Sequence, residues 1–400
     1  MKETNWIEKA DKVIANTYKR FPVVFESGNG AVLQDVNGRQ YVDFVAGIAV
    51  CNLGHADRGV AEALARQAKK LFHVSNLFYT TPQVELAEWL VDHSFAGRVF
   101  FCNSGAEANE AAIKLARKNF FDKGDLNRWR IVAMEQSFHG RTYATLSATG
   151  QKKVREGFEP ILEGFDFVAF NDFTALQRHV SETTCAVLLE PVQGEGGVLC
   201  ASPDYMKAVR RLCDETGTIL IFDEIQTGIG RTGRLFGYEH YGVTPDIMTL
   251  AKALGNGLPI GAMLATEDIA GAFTQGSHAS TFGGTPVITA AALEVVSRIE
   301  KDNIIDSCRT TGKYFEKQLN WLKDKHDVIE EVRGVGLLLG IRLNIPGAQI
   351  VEKCMEKGYL INCIQETILR FIPPLVITKE QIDGLINCLD NIFGELQKQE

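Results

Sequence analysis

The 400-residue chain contains no uninterrupted apolar run of membrane-spanning length, which excludes a conventional transmembrane helix. It also lacks a basic excess. The 42 Lys and Arg against 50 Asp and Glu leave a net charge of -8, which argues against nucleic acid or an anionic membrane as partner. None of the nine cysteines forms a CxxC pair, the count is odd, and several lie in apolar runs. Reduced, mostly buried thiols are therefore expected rather than a disulfide framework. The eight histidines include no HExxH and no ligand-like pairing with cysteine, so no metal site is expected. The start, Met1 to Ala10, lacks the apolar core of a secretory signal, and a cytoplasmic location is expected. There is no repeat, low-complexity tract or disordered linker.

What is present is an ordinary globular composition, 45% hydrophobic and 23% charged, in a chain too long for one small core. The first twenty residues read as a helix ending at Phe21-Pro22. Asn37-Gly38 between Ala31–Val36 and Arg39–Phe44 predicts a hairpin. Gly47 to Gly54 is an apolar, glycine-punctuated loop that could line a pocket. Strands are expected at 98–102, 129–134, 185–189 and 218–222, with helices at 106–118 and 204–215 between them. Near-continuous apolar strands alternating with helices imply a mostly parallel sheet covered on both faces, with ligands gathered beyond the carboxyl ends of its strands. The helix Pro286–Lys301 reads as a connection to a smaller α+β lobe, with a strand at 337–342. The expected division is 1–55 (helix and hairpin, part of the small lobe), 56–285 (large domain) and 286–400 (small domain).

Chemistry concentrates at the strand ends. The run Ile247–Ala251 delivers Lys252 into the turn Ala253-Leu-Gly-Asn-Gly-Leu-Pro-Ile260. Such a lysine could snorkel to solvent. If desolvated, its amine becomes a nucleophile toward a carbonyl. Ser104 and Glu107 match the S-x-x-E capping box, and a helix start there offers N–H groups to a phosphate. Asp223-Glu224 closes an apolar strand and could pass for a Walker B acid. No GxxxxGK[ST] loop accompanies it, since Gly312-Lys313 is followed by Tyr314. A protonated pyridine nitrogen is another partner for such an acid, with Gln226 in reach of a ring hydroxyl. Phe138 can cover a heteroaromatic ring, and Arg141 has the planar fork that holds a carboxylate.

Taken together, Ser104–Arg117, Phe138-His-Gly-Arg-Thr142, Glu190-Pro-Val-Gln-Gly-Glu-Gly-Gly197, Asp223–Gly233, the Lys252 segment and Ser280-Thr-Phe-Gly-Gly284 resemble the class III (ornithine, acetylornithine, GABA) aminotransferases. The resemblance runs from about Tyr18 to the C-terminus. It implies the type I aminotransferase fold, α/β, with a mostly parallel seven-stranded-type sheet and a smaller α+β domain. It also implies pyridoxal 5′-phosphate as cofactor. Lys252 then condenses with the cofactor aldehyde and moves the substrate proton, and Asp223 keeps the pyridine nitrogen protonated. Ser104, Gly105 and Ala106 bind the phosphate, and Thr281 reaches in from a second subunit, which makes a homodimer obligatory. Phe138 and Ile225 sandwich the ring, with His139 and Gln226 also in the cofactor set.

For substrates, the same resemblance gives Arg141 to a carboxylate of the donor and places Glu190 beside the substrate. Glu195 and Arg370 form a switch: paired for the ω-amino donor, opened so that Arg370 receives 2-oxoglutarate. Phe44–Val50, Gly54-His55 and Val332–Leu337 are most similar to the acetylornithine branch, and Ser280 would contact the acylated substrate. Ile48 stands where ornithine aminotransferases carry tyrosine. The sequence departs from the family at Ala106 (usually threonine), at Asp57-Arg58 (usually His-Pro) and at Thr285 (more often asparagine). Rival readings are a GABA, ornithine, succinylornithine or succinyldiaminopimelate donor, an aminomutase, or a non-catalytic dimer that had lost Lys252 or Asp223; both residues are present.

Overall fold

The computed structural model describes residues 3–397. A seven-stranded sheet organises it, in the order Arg98–Cys102, Gly261–Ala265, Ile247–Leu250, Ile219–Asp223, Thr184–Leu189, Arg130–Met134, Phe165–Val168. Only Gly261–Ala265 runs antiparallel to its neighbours. That strand was not foreseen, because a short apolar run does not disclose its direction.

Alternation along the strands explains why both faces are covered. Ile219 and Ile221 share one apolar cluster with Ala111, Ala112 and Leu115 of the helix Gly105–Asp122. Leu220 and Phe222 share another with Tyr205, Met206 and Val209 of the helix Pro203–Thr216. Each fully buried Ile, Leu, Val, Met or Phe side chain among these stabilises the fold by about 1.5–3 kcal/mol. The helix Pro286–Lys301 buries Ala291, Ala292, Val295, Val296 and Ile299 in a third cluster. That cluster extends to Leu319, Leu339, Phe371 and Leu389 beyond it. There a second sheet is ordered Ile329–Val335, Leu338–Leu343, Ile368–Phe371, Asn362–Ile364.

The N-terminal helix is shorter than expected, spanning Glu3–Val13, and none of its residues is buried. One end is tied down by Glu3, which accepts from Val24 N–H and Asn37 Nδ2, and no buried side chain anchors the helix further along. Met1 and Lys2 lie outside the described residues. The expected hairpin forms between Val32–Asp35 and Gln40–Asp43, with Gly38 at φ 83° and Asp35 Oδ1 accepting from the Asn37 and Arg39 N–H groups at 2.9 Å. Gln40–Asp43 also pairs in parallel with Tyr359–Leu360, so the first strands are stitched to the last hundred residues. All nine cysteines are free thiols. Among the described residues no helix is long and apolar enough to cross a membrane.

Candidate active site

The parallel strands share a direction, so their carboxyl ends meet on one edge, and a cavity of ≈ 470 Å³ opens there. Ser104, Gly105 and Ala106 reach it from the end of Arg98–Cys102. Phe138, His139 and Arg141 follow Arg130–Met134, and Glu190 and Glu195 follow Thr184–Leu189. Asp223, Ile225 and Gln226 close Ile219–Asp223, and Lys252 follows Ile247–Leu250. Val50, Asn103 and Gly257–Ile260 complete the wall.

Lys252 sits at φ 41°, a left-handed conformation that a lysine adopts at a cost and that the surrounding turn enforces. Burial holds its amine below the ordinary lysine value, and the charge of Arg370 adds to the depression. The carboxylates of Glu195, Asp223 and Glu190 oppose it. A desolvated amine of depressed basicity gives up its proton more readily and is a better nucleophile.

Asp223 is buried, and three hydrogen bonds from the fold hold its carboxylate. Oδ2 accepts from Asn109 Nδ2 and His139 Nδ1, each at 2.8 Å, and Oδ1 accepts from the Ile225 N–H at 3.0 Å. Glu190 is a different acid. Burial, then the charge of Asp223, raises its pKa well above the ordinary carboxyl value, although it accepts from the Phe138 N–H at 3.3 Å. For Glu195 burial also pushes upward, but the Arg370 guanidinium at 2.5 Å outweighs it and holds the carboxyl below its usual range.

At the helix start Ser104 Oγ accepts from the Glu107 N–H, as expected. Glu107 returns to the Asn103 N–H and to Ser104 Oγ rather than to the Ser104 N–H, so the capping box is only half made. Arg141 is exposed at the mouth with its guanidinium 5.6 Å from the Phe138 ring centroid. Arg370 lies behind the wall, reaching the cavity only through Glu195.

Two expected residues are not brought into this cavity by a single chain. Ser280 accepts from Gly283 N–H at 3.0 Å and from Asn103 Nδ2 at 3.3 Å, while Thr281 is exposed. Both border a separate cavity beside Leu77 and Tyr79. Conversely, reading the sequence missed Asn109 and Thr249, which stand behind Asp223. The signal was there: a single amide among alanines on a helix, and a single hydroxyl inside Ile-Met-Thr-Leu.

These parts ask for one kind of ligand. A nucleophilic amine calls for an aldehyde, a helix N-terminus for a phosphate, and a buried carboxylate facing the cavity for a cationic ring nitrogen; the side chains fit pyridoxal phosphate. Fold and site together thus define a pyridoxal-phosphate enzyme of the aminotransferase fold. The family model for class-III aminotransferases matches residues 13–393, and the chain belongs to that family.

Among relatives, the acetylornithine aminotransferase of Methanocaldococcus jannaschii is 50% identical over 398 residues, covering 100% of both chains. That of Caldanaerobacter subterraneus is 50% identical over 96% of this chain and 98% of its own. A solved ornithine aminotransferase from Toxoplasma gondii, with partial occupancy of pyridoxal phosphate at its active site, superposes with a TM-score of 0.96 at 32% identity. It covers 100% of this chain and 95% of its own.

Proposed function

We propose that the chain transfers the terminal amino group of N2-acetyl-L-ornithine to 2-oxoglutarate, giving N-acetyl-L-glutamate 5-semialdehyde and L-glutamate, as a cytoplasmic step of arginine biosynthesis. The observation that carries this reading is the Glu195–Arg370 pair on the wall of the Lys252 cavity. The naming of the full-length relatives favours the acetylated donor.

Bound pyridoxal phosphate supplies an aldehyde and an electron-accepting ring. The remaining roles fall to the chain. Lys252 Nζ takes up and returns the proton that leaves the substrate carbon. The Asp223 carboxylate would hold the positively charged nitrogen of the ring. Arg141, exposed at the mouth, takes a carboxylate of the donor. Glu195 neutralises Arg370 while the donor occupies the site, and releases it when the dicarboxylate acceptor arrives.

The active unit in this reading is a homodimer, with Thr281 and Ser280 completing the partner's site. The apolar side chains exposed around them support that: Leu77, Phe78, Tyr79 and Phe282 would otherwise face water.

The test is single-turnover absorbance of the cofactor-loaded protein with N2-acetylornithine, ornithine, N-succinylornithine and GABA. The acetylated donor should react fastest, by about tenfold or more, which corresponds to about 1.4 kcal/mol of selective binding. Ornithine or GABA reacting fastest contradicts the donor assignment.

A further inference from the structure

Behind the cavity stands a polar chain that the apolar core has no reason to hold. Thr249 and Asn109 are each 0% exposed. The register of the sheet sets Thr249 directly across from Asp223 on the adjacent parallel strand. Thr249 Oγ1 donates to Asn109 Oδ1 at 2.7 Å. The two hydrogens of Asn109 Nδ2 then go to His139 O and to Asp223 Oδ2, both at 2.8 Å. This assignment of the amide is the only consistent one, because a flipped amide would set its oxygen against a carbonyl and a carboxylate.

A carboxylate has about four acceptor positions, two on each oxygen. On Asp223, Oδ2 uses both, for Asn109 and His139, and Oδ1 uses one, for Ile225 N–H. We propose that Thr249 and Asn109 are positioning residues for Asp223, filling Oδ2 so that one lone pair of Oδ1 is the acceptor presented to the ring nitrogen of the cofactor. Thr249 is not among the residues lining the cavity; it acts by satisfying the Asn109 carbonyl oxygen, which would otherwise be buried without a partner. The proposal rests on the pyridoxal-phosphate reading of the cavity and goes beyond it by assigning the two carboxylate oxygens different tasks.

The experiment is equilibrium binding of pyridoxal phosphate to the cofactor-free protein, followed by fluorescence. It compares wild type, Thr249→Ser, Thr249→Val, Asn109→Leu, Asp223→Asn and the Asn109→Leu/Asp223→Asn double variant, with a melting curve for each. Thr249→Ser keeps the hydroxyl and should bind within about twofold of wild type. Thr249→Val keeps the shape, loses the donor, and should bind about tenfold more weakly, the equivalent of one net hydrogen bond. Asn109→Leu should weaken binding as well, but add nothing once Asp223 is Asn, since its effect passes through that carboxylate. Wild-type affinity in Thr249→Val overturns the proposal, as does additivity in the double variant. If Asn109→Leu does not fold, the serine and valine variants decide alone. A wild-type protein that binds no pyridoxal phosphate sinks the cofactor reading instead.

Discussion

Arg370 Nη1 lies 2.5 Å from Glu195 Oε1, with the arginine side chain 1% exposed and the glutamate on the wall of the Lys252 cavity. The same guanidinium nitrogen reaches the Gly194 carbonyl at 3.1 Å, and Nε reaches Asn362 Oδ1 at 3.3 Å. Leaving this guanidinium without its anionic partner would be costly. A protein carboxylate and a substrate carboxylate that take turns as that partner would let two substrates of unequal charge share one site.

Breaking this pair from either side should affect the two half-reactions unequally. In Arg370→Ala the acceptor loses its cation, and the half-reaction with 2-oxoglutarate should slow by about thirtyfold or more, corresponding to about 2 kcal/mol. The donor half-reaction should fall much less. In Glu195→Gln the order reverses, because the donor then faces an uncompensated guanidinium. Stopped-flow absorbance of each half separates them; equal losses in both would remove the exchange of partners from the account.

A second ion pair carries stability rather than chemistry. His55 Nε2 lies 2.7 Å from Asp43 Oδ2, and this bond, helped by the Cys51 thiol, raises the imidazole from its ordinary 6.5 to about 9. A raised base is stabilising while it holds its proton. The contribution is complete below about pH 6.5 and is lost as pH rises through about 9. Wild type and His55→Gln melted from pH 6 to 10 should differ most at pH 6 and converge above pH 9. A gap that widens with pH would mean that the histidine folds neutral.

Much of the site could be read from single residues at strand ends. Asp223 ends one apolar run and Lys252 follows another, and the parallel sheet then forces them together. Ser104 announced its helix through an N-cap preference that is purely local. What could not be read depends on partners distant in sequence. The antiparallel Gly261–Ala265 looks like any buried strand, and the Glu3–Val13 helix stops early with none of its side chains buried. Thr249 and Asn109 resemble tolerated polar interruptions until the fold sets them 2.7 Å apart behind Asp223. Thr281 and Ser280 border a different cavity from the one around Lys252.

One glycine in the antiparallel strand is fixed by that packing. A Cβ at Gly261 would lie 2.2 Å from the Ser104 carbonyl oxygen and 2.8 Å from Cys102 Sγ. Backbone cannot yield as a side-chain tip can, so Gly261→Ala should push the Ser104 turn outward. We expect a loss of about 1–3 kcal/mol in stability and weaker retention of pyridoxal phosphate on dialysis. An alanine variant that melts and retains cofactor like wild type would show that the turn is free to move.

In the proposed reaction Lys252 is the amine that joins the cofactor, and peptide mass mapping after borohydride reduction of the cofactor-loaded protein tests this most directly. One reduced cofactor should be found per chain, on the peptide containing Lys252, and none in Lys252→Ala. A colourless wild-type protein without adduct, or an adduct on another lysine, would contradict it.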